Sequence, residues 1–322
     1  MKKILKYVSA AMLVLSSLFA SVSCEKEPEM TEAKNALIEL IREAEELQAS
    51  RVEGLDEGQQ AAGSKRAFQA TIDRAYFILN TATNDEAFTN AYNNLLKDIE
   101  AFKLNVIKAG IPSFSQGSYI KCGNDESLKF ADGFTISARV RFNDLSAQNY
   151  VFATEGAKQG FMCRTNAEGK IQFVLYNGGW MGSAKWAVTK MEKDKWYVIT
   201  AVYKAPESGA QGYAYLYING KKEVEITGLG KALVKSEHDF HFGTPAAYSG
   251  RPLKGDVQHI TIWDDVRTPD EITADMDFGF KGDEEGLIAY WPLLVNVGTE
   301  ILDVTGNHTA KLSSITWKDK EE

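Results

Sequence analysis

At Ala109-Gly110-Ile111-Pro112 the hydrophobic pattern changes its period, so one packing scheme cannot serve the whole chain. Before that point apolar residues recur at helical spacing. Ala33, Leu37, Leu40, Ile41, Ala44 and Leu47 make one stripe, and Ala67, Phe68, Ile72, Ala75, Ile78 and Leu79 a second. Phe88, Tyr92, Leu95, Leu96, Ile99 and Phe102 make the third. Gly54 and Gly58 separate the first two, and Thr81-Ala82-Thr83-Asn84 supplies a stop followed by an N-cap. This predicts a three-helix bundle over residues 30–108. Glycine suits a helix end and proline cannot continue one, so 109–112 reads as a linker.

Beyond the linker the period is two. Strand-like runs fall at Ser118–Cys122, Phe134–Phe142, Ile171–Tyr176, Trp196–Tyr203, Tyr213–Ile218, Val257–Trp263 and Leu287–Pro292. Short strands with turn signals between them predict a mainly β second part, an antiparallel β-sandwich over 113–322. Asn219-Gly220 supplies the positive φ angles of a tight hairpin. Tyr213, Tyr215 and Tyr217 then alternate as a wet face against a buried face of Ala214, Leu216 and Ile218.

The first residues place the chain in a compartment. Lys2, Lys3 and Lys6 precede an apolar run from Val8 to Ala20, which is shorter than a membrane span, and small residues lead to Cys24. Residues 1–23 read as a signal peptide. The Ser21-Val22-Ser23-Cys24 end resembles the lipobox of bacterial lipoproteins, which implies lipidation at Cys24 and an outer-membrane anchor. The acidic tether 24–29 that follows resembles the export signal of surface lipoproteins in the Bacteroides group. The formal charge is −8, and loss of three lysines with the signal makes it more negative. An acidic surface argues against nucleic acid and anionic lipid as partners.

Motifs that would carry chemistry are missing. The chain has no Gly-x-Ser-x-Gly, phosphate loop or dinucleotide fingerprint, and no Glu-x-Asp-x-x-Glu run of the kind glycosidases present on one strand. Asp239 and His241 share a strand face, which a solvated surface explains better than a dyad. Cys122 and Cys163 are enough for one disulfide, and the sequence leaves that bond open. The four histidines lack metal-ligand spacing.

Several stretches resemble known families. GSYIKCGNDESLKFADGFTISARVRFNDL, KWYVITAVY, LYINGKKE, RPLKGDVQHITIWDDVRTPDEI and LIAYWPLLVNVGTEILDVTGNHTAKL, closed by Trp317, are similar in order to the laminin G-like, concanavalin A-like jelly roll. The helical stretch from Gly54 to Phe102 resembles the small three-helix modules of the FIVAR kind, which act as spacers in bacterial surface proteins. The jelly-roll resemblance implies that Trp196, Trp263 and Trp291 are packing residues. It also implies a calcium ion at the loop of Asn124 and Asp125, although Gln258 replaces a charged candidate there. Arg139 stands where the family usually has tryptophan.

One aromatic stretch remains unassigned, YNGGWMGSAKW from Tyr176 to Trp186. By period two, Trp180, Gly182, Ala184 and Trp186 share a face, with the two indoles about 20 Å apart across small residues. That trough suits the flat C–H face of a sugar. Trp180, Trp186 and Tyr176, with Tyr248 and Arg139 as polar contacts, are therefore the expected ligand-binding residues. The reading that follows is a surface lipoprotein that binds a polysaccharide or host glycan, beside an uptake transporter or neighbouring glycosidases. A glycoside hydrolase with dispersed acids and a protein-binding adhesin are the alternatives.

Overall fold

The three helical stripes lie on three helices: α1, Glu32–Ser50; α2, Ser64–Thr81; and α3, Asp85–Leu104. This computed structural model describes residues 31–319 apart from positions 55, 129, 184 and 297. The expected signal peptide, Cys24 and the tether lie outside the described residues. Thr31 Oγ1 accepts the Lys34 amide and Asn84 Oδ1 the Ala87 amide, so α1 and α3 start on side-chain caps. Leu37, Leu40, Ile41 and Ala44 pack with Phe68, Ile72 and Ala75, and with Phe88, Ala91, Leu95, Ile99 and Phe102, in a core of their own. Leu96 and Ala67, expected inside, are exposed. Each is one position, about 100°, away from a seam residue that does the packing. No described helix is long and apolar enough to cross a membrane.

Residues 109–112 are not a free linker. Lys108–Ala109 pairs antiparallel with Val295–Asn296, and the Gly110 amide donates to Leu294 O at 2.9 Å. Ile111–Phe114 is itself a strand, with Pro112 opposite Trp317. Four residues are too few to display a period, and the proline, which removes one ladder donor, hid the strand.

Two eight-stranded antiparallel sheets form the sandwich. The first runs in the order Lys221–Leu229, Gly212–Ile218, Trp196–Lys204, Gly133–Phe142, Gly255–Trp263, Ile111–Phe114, Thr316–Lys318, with Leu287–Trp291 also on Gly255–Trp263. The second runs Glu300–Leu302, Thr309–Ser313, Tyr119–Gly123, Phe240–Gly243, Tyr150–Ala153, Gln159–Thr165, Lys170–Asn177, Trp186–Lys190. Phe134, Phe152, Phe161, Phe173, Phe240 and Phe242 fill the space between them as edge-on and tilted pairs. Asn219 and Gly220 adopt φ of 49° and 75°, as the hairpin requires. Cys122 and Cys163 are free thiols in the core, and burial pushes both well above the ordinary thiol range.

Two expectations about aromatic residues change. Trp263 and Trp291 are core residues, but Trp196 lies on the outer face of the first sheet, flanked by the guanidinium groups of Arg139 at 4.6 Å and Arg141 at 4.9 Å. Tyr217 is not on a wet face, because Ile272 of the short helix Pro269–Ala274 covers it.

Candidate functional site

Alternation along the second sheet decides what its outer face carries. On Lys170–Asn177, Ile171, Phe173 and Leu175 enter the main core, leaving Gln172, Val174 and Tyr176 on the other side. On the neighbouring strand Phe161 and Cys163 face inward, leaving Met162 and Arg164 outside. Tyr150, Ala153, Met162, Val174 and Tyr176 then form a second apolar cluster, separate from the core. A merely solvated face would not bury two tyrosines to 1% and 4% exposure.

Charged groups are laid over this cluster. The Tyr176 hydroxyl donates to Glu155 Oε1 at 3.0 Å, and Arg251 Nη1 donates to Glu155 Oε2 at 2.6 Å. The Arg251 guanidinium lies 3.7 Å from the centroid of the Tyr248 ring and 5.2 Å from that of Tyr150. Arg164 continues the row, 5.9 Å from the Tyr150 ring and 5.7 Å from the Trp186 indole. Trp186 pairs across the strands with Gln172, whose Oε1 accepts Arg164 Nε and Nη2 at 3.3 Å. The result is a continuous aromatic and guanidinium surface from Tyr248 to Trp186.

Burial, and then the Glu155 charge, push the Tyr176 phenol above its ordinary range, so it stays a neutral donor. Burial also raises the Tyr150 phenol. Beside Glu155, His238 sits directly on Gly156, where a Cβ would come 1.9 Å from its ring. Only glycine leaves room for that imidazole.

The indole trough does not form as expected. Residues 178–183 and 185 are a loop, because Gly178 and Gly182 take φ of 70° and 65° and break the extended geometry that period two requires. Gly182 turns against Ile226 of the first sheet. Trp180 leaves a backbone bridge to Tyr176 and is 55% exposed, while Trp186 is half-buried on its strand. Ala184 lies outside the described residues.

Of the expected residues the structure therefore brings together Tyr176, Trp180, Trp186 and Tyr248, and separates Arg139 from them. Arg139 belongs to the other sheet, donating to Gln258 Oε1 at 3.0 Å, its guanidinium pushed down by burial and by Arg141. Sequence reasoning missed Tyr150, Glu155, Arg164 and Arg251. A readable signal exists for Arg164, an arginine at the outward position of Phe161-Met162-Cys163-Arg164. Glu155 and Arg251 lie in connections, where no period places a side chain.

Asn124 Nδ2 donates to Ser236 O, and Asp125 Oδ1 accepts the Ser127 amide and hydroxyl. Burial works to raise the Asp125 carboxyl, but the Ser127 bonds outweigh it and hold the group below its ordinary value. Among the described residues no three His, Cys, Asp or Glu side chains converge as a metal site. Asp239 pairs with Lys121 at 2.6 Å and His241 Nδ1 contacts Thr244 O at 2.9 Å, so the two do not form a dyad.

Residues 114–273 match the family model described as the concanavalin A-like lectin/glucanases superfamily, Laminin_G_3. The sandwich is accordingly concanavalin A-like in fold, and its residues 114–273 are similar to the laminin G family. Among solved structures, one from Bacteroides ovatus, provisionally described as a carbohydrate-binding protein, superposes with a TM-score of 0.54 at 20% identity. The alignment covers 67% of this chain and 61% of that one, so this chain spans about three-fifths of its length. A Ruminococcus gnavus sialidase module, CBM40 bound to α2,6 sialyllactose, aligns with a TM-score of 0.38 at 17% identity, covering 52% of this chain and 97% of that one. A Limulus polyphemus pentraxin aligns with a TM-score of 0.35 at 15% identity, over 50% and 82%. No curated protein matches the chain.

Proposed function

We propose that this chain is a lipid-anchored protein of the outer cell surface that binds carbohydrate through the outer face of its second sheet. The helical bundle then serves as a spacer, and a glycan transporter or neighbouring glycosidases take over what is captured. The observation that carries the reading is convergence. Trp186 and the Tyr248 connection come together over the second sheet beside Tyr150 through the guanidinium groups of Arg164 and Arg251, and Trp180 is bridged to Tyr176. Aromatic faces accept the C–H face of a sugar, and arginine and tyrosine donors serve its hydroxyls. The jelly-roll fold and the provisional description of the Bacteroides ovatus neighbour support the same reading.

Binding is favoured over hydrolysis by the state of Glu155. Hydrolysis needs two available carboxyl groups about 5–9.5 Å apart across the scissile bond. Glu155 spends one oxygen on Tyr176 and the other on Arg251, which makes it a positioning group. The same proposal keeps Asn124 and Asp125 as the place for a calcium ion, and glycan contact at the aromatic surface does not depend on it.

One experiment covers site and anchor. Cells carrying the full chain are screened for retention of fluorescent glycans, and a glycan that is retained is titrated against the purified protein. Trp180→Ala and Trp186→Ala should each weaken binding by about tenfold, ~1.4 kcal/mol, with little change in melting temperature. Cys24→Ala should release the chain from the cell surface. Undiminished affinity in both tryptophan variants would move the site elsewhere, and retention of the Cys24→Ala chain would refute the anchor.

A further inference from the structure

The charges on this surface are unbalanced in one direction. Arg164 Nη1 donates to Gln148 Oε1 at 2.6 Å and reaches the Tyr150 hydroxyl only at 3.5 Å; its other contacts are Gln172 and the rings of Tyr150 and Trp186. All are neutral. One N–H of Nη2 has no protein acceptor, and no carboxylate pairs with this guanidinium among the described residues. Arg251, by contrast, is matched by Glu155.

The next level of the same face repeats the excess. Arg164 pairs with Gln172 and Gln172 with Trp186, and past a register shift in the same pair of strands Lys170 lies opposite Lys190. Side chains paired across antiparallel strands share a face, so Lys170 and Lys190 stand together at this end of the two strands, beyond the register shift that follows the Gln172 and Trp186 pair. Like charges placed opposite each other destabilise a sheet. Neither lysine has an ion-pair partner among the described residues. The carboxylate beside this edge, Glu223, is taken up by the Val188 and Thr189 amides and by Lys221, and among the described residues none pairs with Arg164, Lys170 or Lys190.

Resting on the glycan reading above, we infer that the ligand is an acidic polysaccharide. Its sugar rings lie on Trp180 and Trp186, above the buried tyrosine cluster, and its carboxylate or sulfate groups face Arg164, with Lys170 and Lys190 farther along the same strands. The guanidinium fork of Arg164 suits a planar carboxylate, and the two lysines act as point charges that serve either anion.

The test is a glycan array bearing neutral, carboxylated and sulfated oligosaccharides on the same backbones, probed with the purified full chain. Acidic members should bind at least tenfold better than their neutral counterparts, ~1.4 kcal/mol, and salt should erode the difference. Arg164→Lys keeps charge and stem but loses the fork; a loss confined to carboxylated members identifies carboxylate, and a loss confined to sulfated members identifies sulfate. Lys190→Glu is exposed and sets an acid opposite Lys170. It should keep or raise the melting temperature while weakening acidic binding by about tenfold. Equal binding of neutral and acidic members, with tryptophan dependence retained, overturns this inference and leaves the glycan reading standing. Silence across the array removes both.

Discussion

His259 occupies a bulge in Gly255–Trp263 with φ of 50°, and its Nδ1 lies 2.8 Å from the Tyr290 hydroxyl. Its ring stacks on Phe278 at 4.4 Å. Burial, with a smaller contribution from the Arg139 charge, pulls its pKa from 6.5 down to about 4. The imidazole is therefore neutral in the folded protein, while the unfolded chain takes up a proton first as pH falls. Stability from this residue is complete above pH 6.5 and is lost as pH drops from 6.5 to 4. Asparagine tolerates the same backbone angle, so His259→Asn should flatten melting temperature against pH in that window and leave the alkaline side unchanged. A steepness equal to that of the parent protein would place the acid sensitivity elsewhere. At this scale the sequence shows residue types but not their neighbours. Tyr176 and Trp186 stood out because aromatic residues near a turn are conspicuous. Glu155 and Arg251 did not, since their roles come from contacts 96 residues apart along the chain.

Among elements, regular ones were legible and interrupted ones were not. Phe134–Phe142 and Trp196–Tyr203 were readable because alternate residues enter a core, and Ile111–Phe114 was not because it is short and buried along its whole length. The stretch after Asn177 misled for a different reason. Its aromatic and small residues alternate, but two left-handed glycines turn that alternation into a loop joining the sheet edges. Glu223 of the first sheet reinforces the junction, accepting the Val188 and Thr189 amides at 2.9 Å. Gly182 is the tightest point, with a Cβ position 2.4 Å from Ile226 Cγ2. Gly182→Val should cost ~2–3 kcal/mol from strain and overpacking, and should weaken glycan binding by displacing Trp180. Parent-like stability in thermal unfolding would show that the loop relaxes and that its position is not fixed by this contact.

Across the whole molecule, two cores lie either side of one junction. The bundle core draws on residues up to Phe102 and the sandwich core begins at Phe114. Between them the chain is pinned at both ends: the Gly58 amide donates to Ile107 O, and Gly110 donates to Leu294 O. The change of period predicted this division but not the pinning, which rests on backbone hydrogen bonds that carry no side-chain pattern. The two outer faces of the sandwich present different chemistry. The second sheet carries the Tyr248 to Trp186 surface, and the first carries Trp196 between two arginines, Arg141 of which is bound to buried Asp256 at 2.7 Å. The central claim is that the ligand uses the former. Hydrogen exchange of the full chain with and without a bound acidic oligosaccharide tests it most directly. Protection should appear in residues 148–186 and 244–251 and be absent from 137–141 and 196–200. Protection confined to the Arg139 and Trp196 segments, with the second sheet unchanged, would contradict the account.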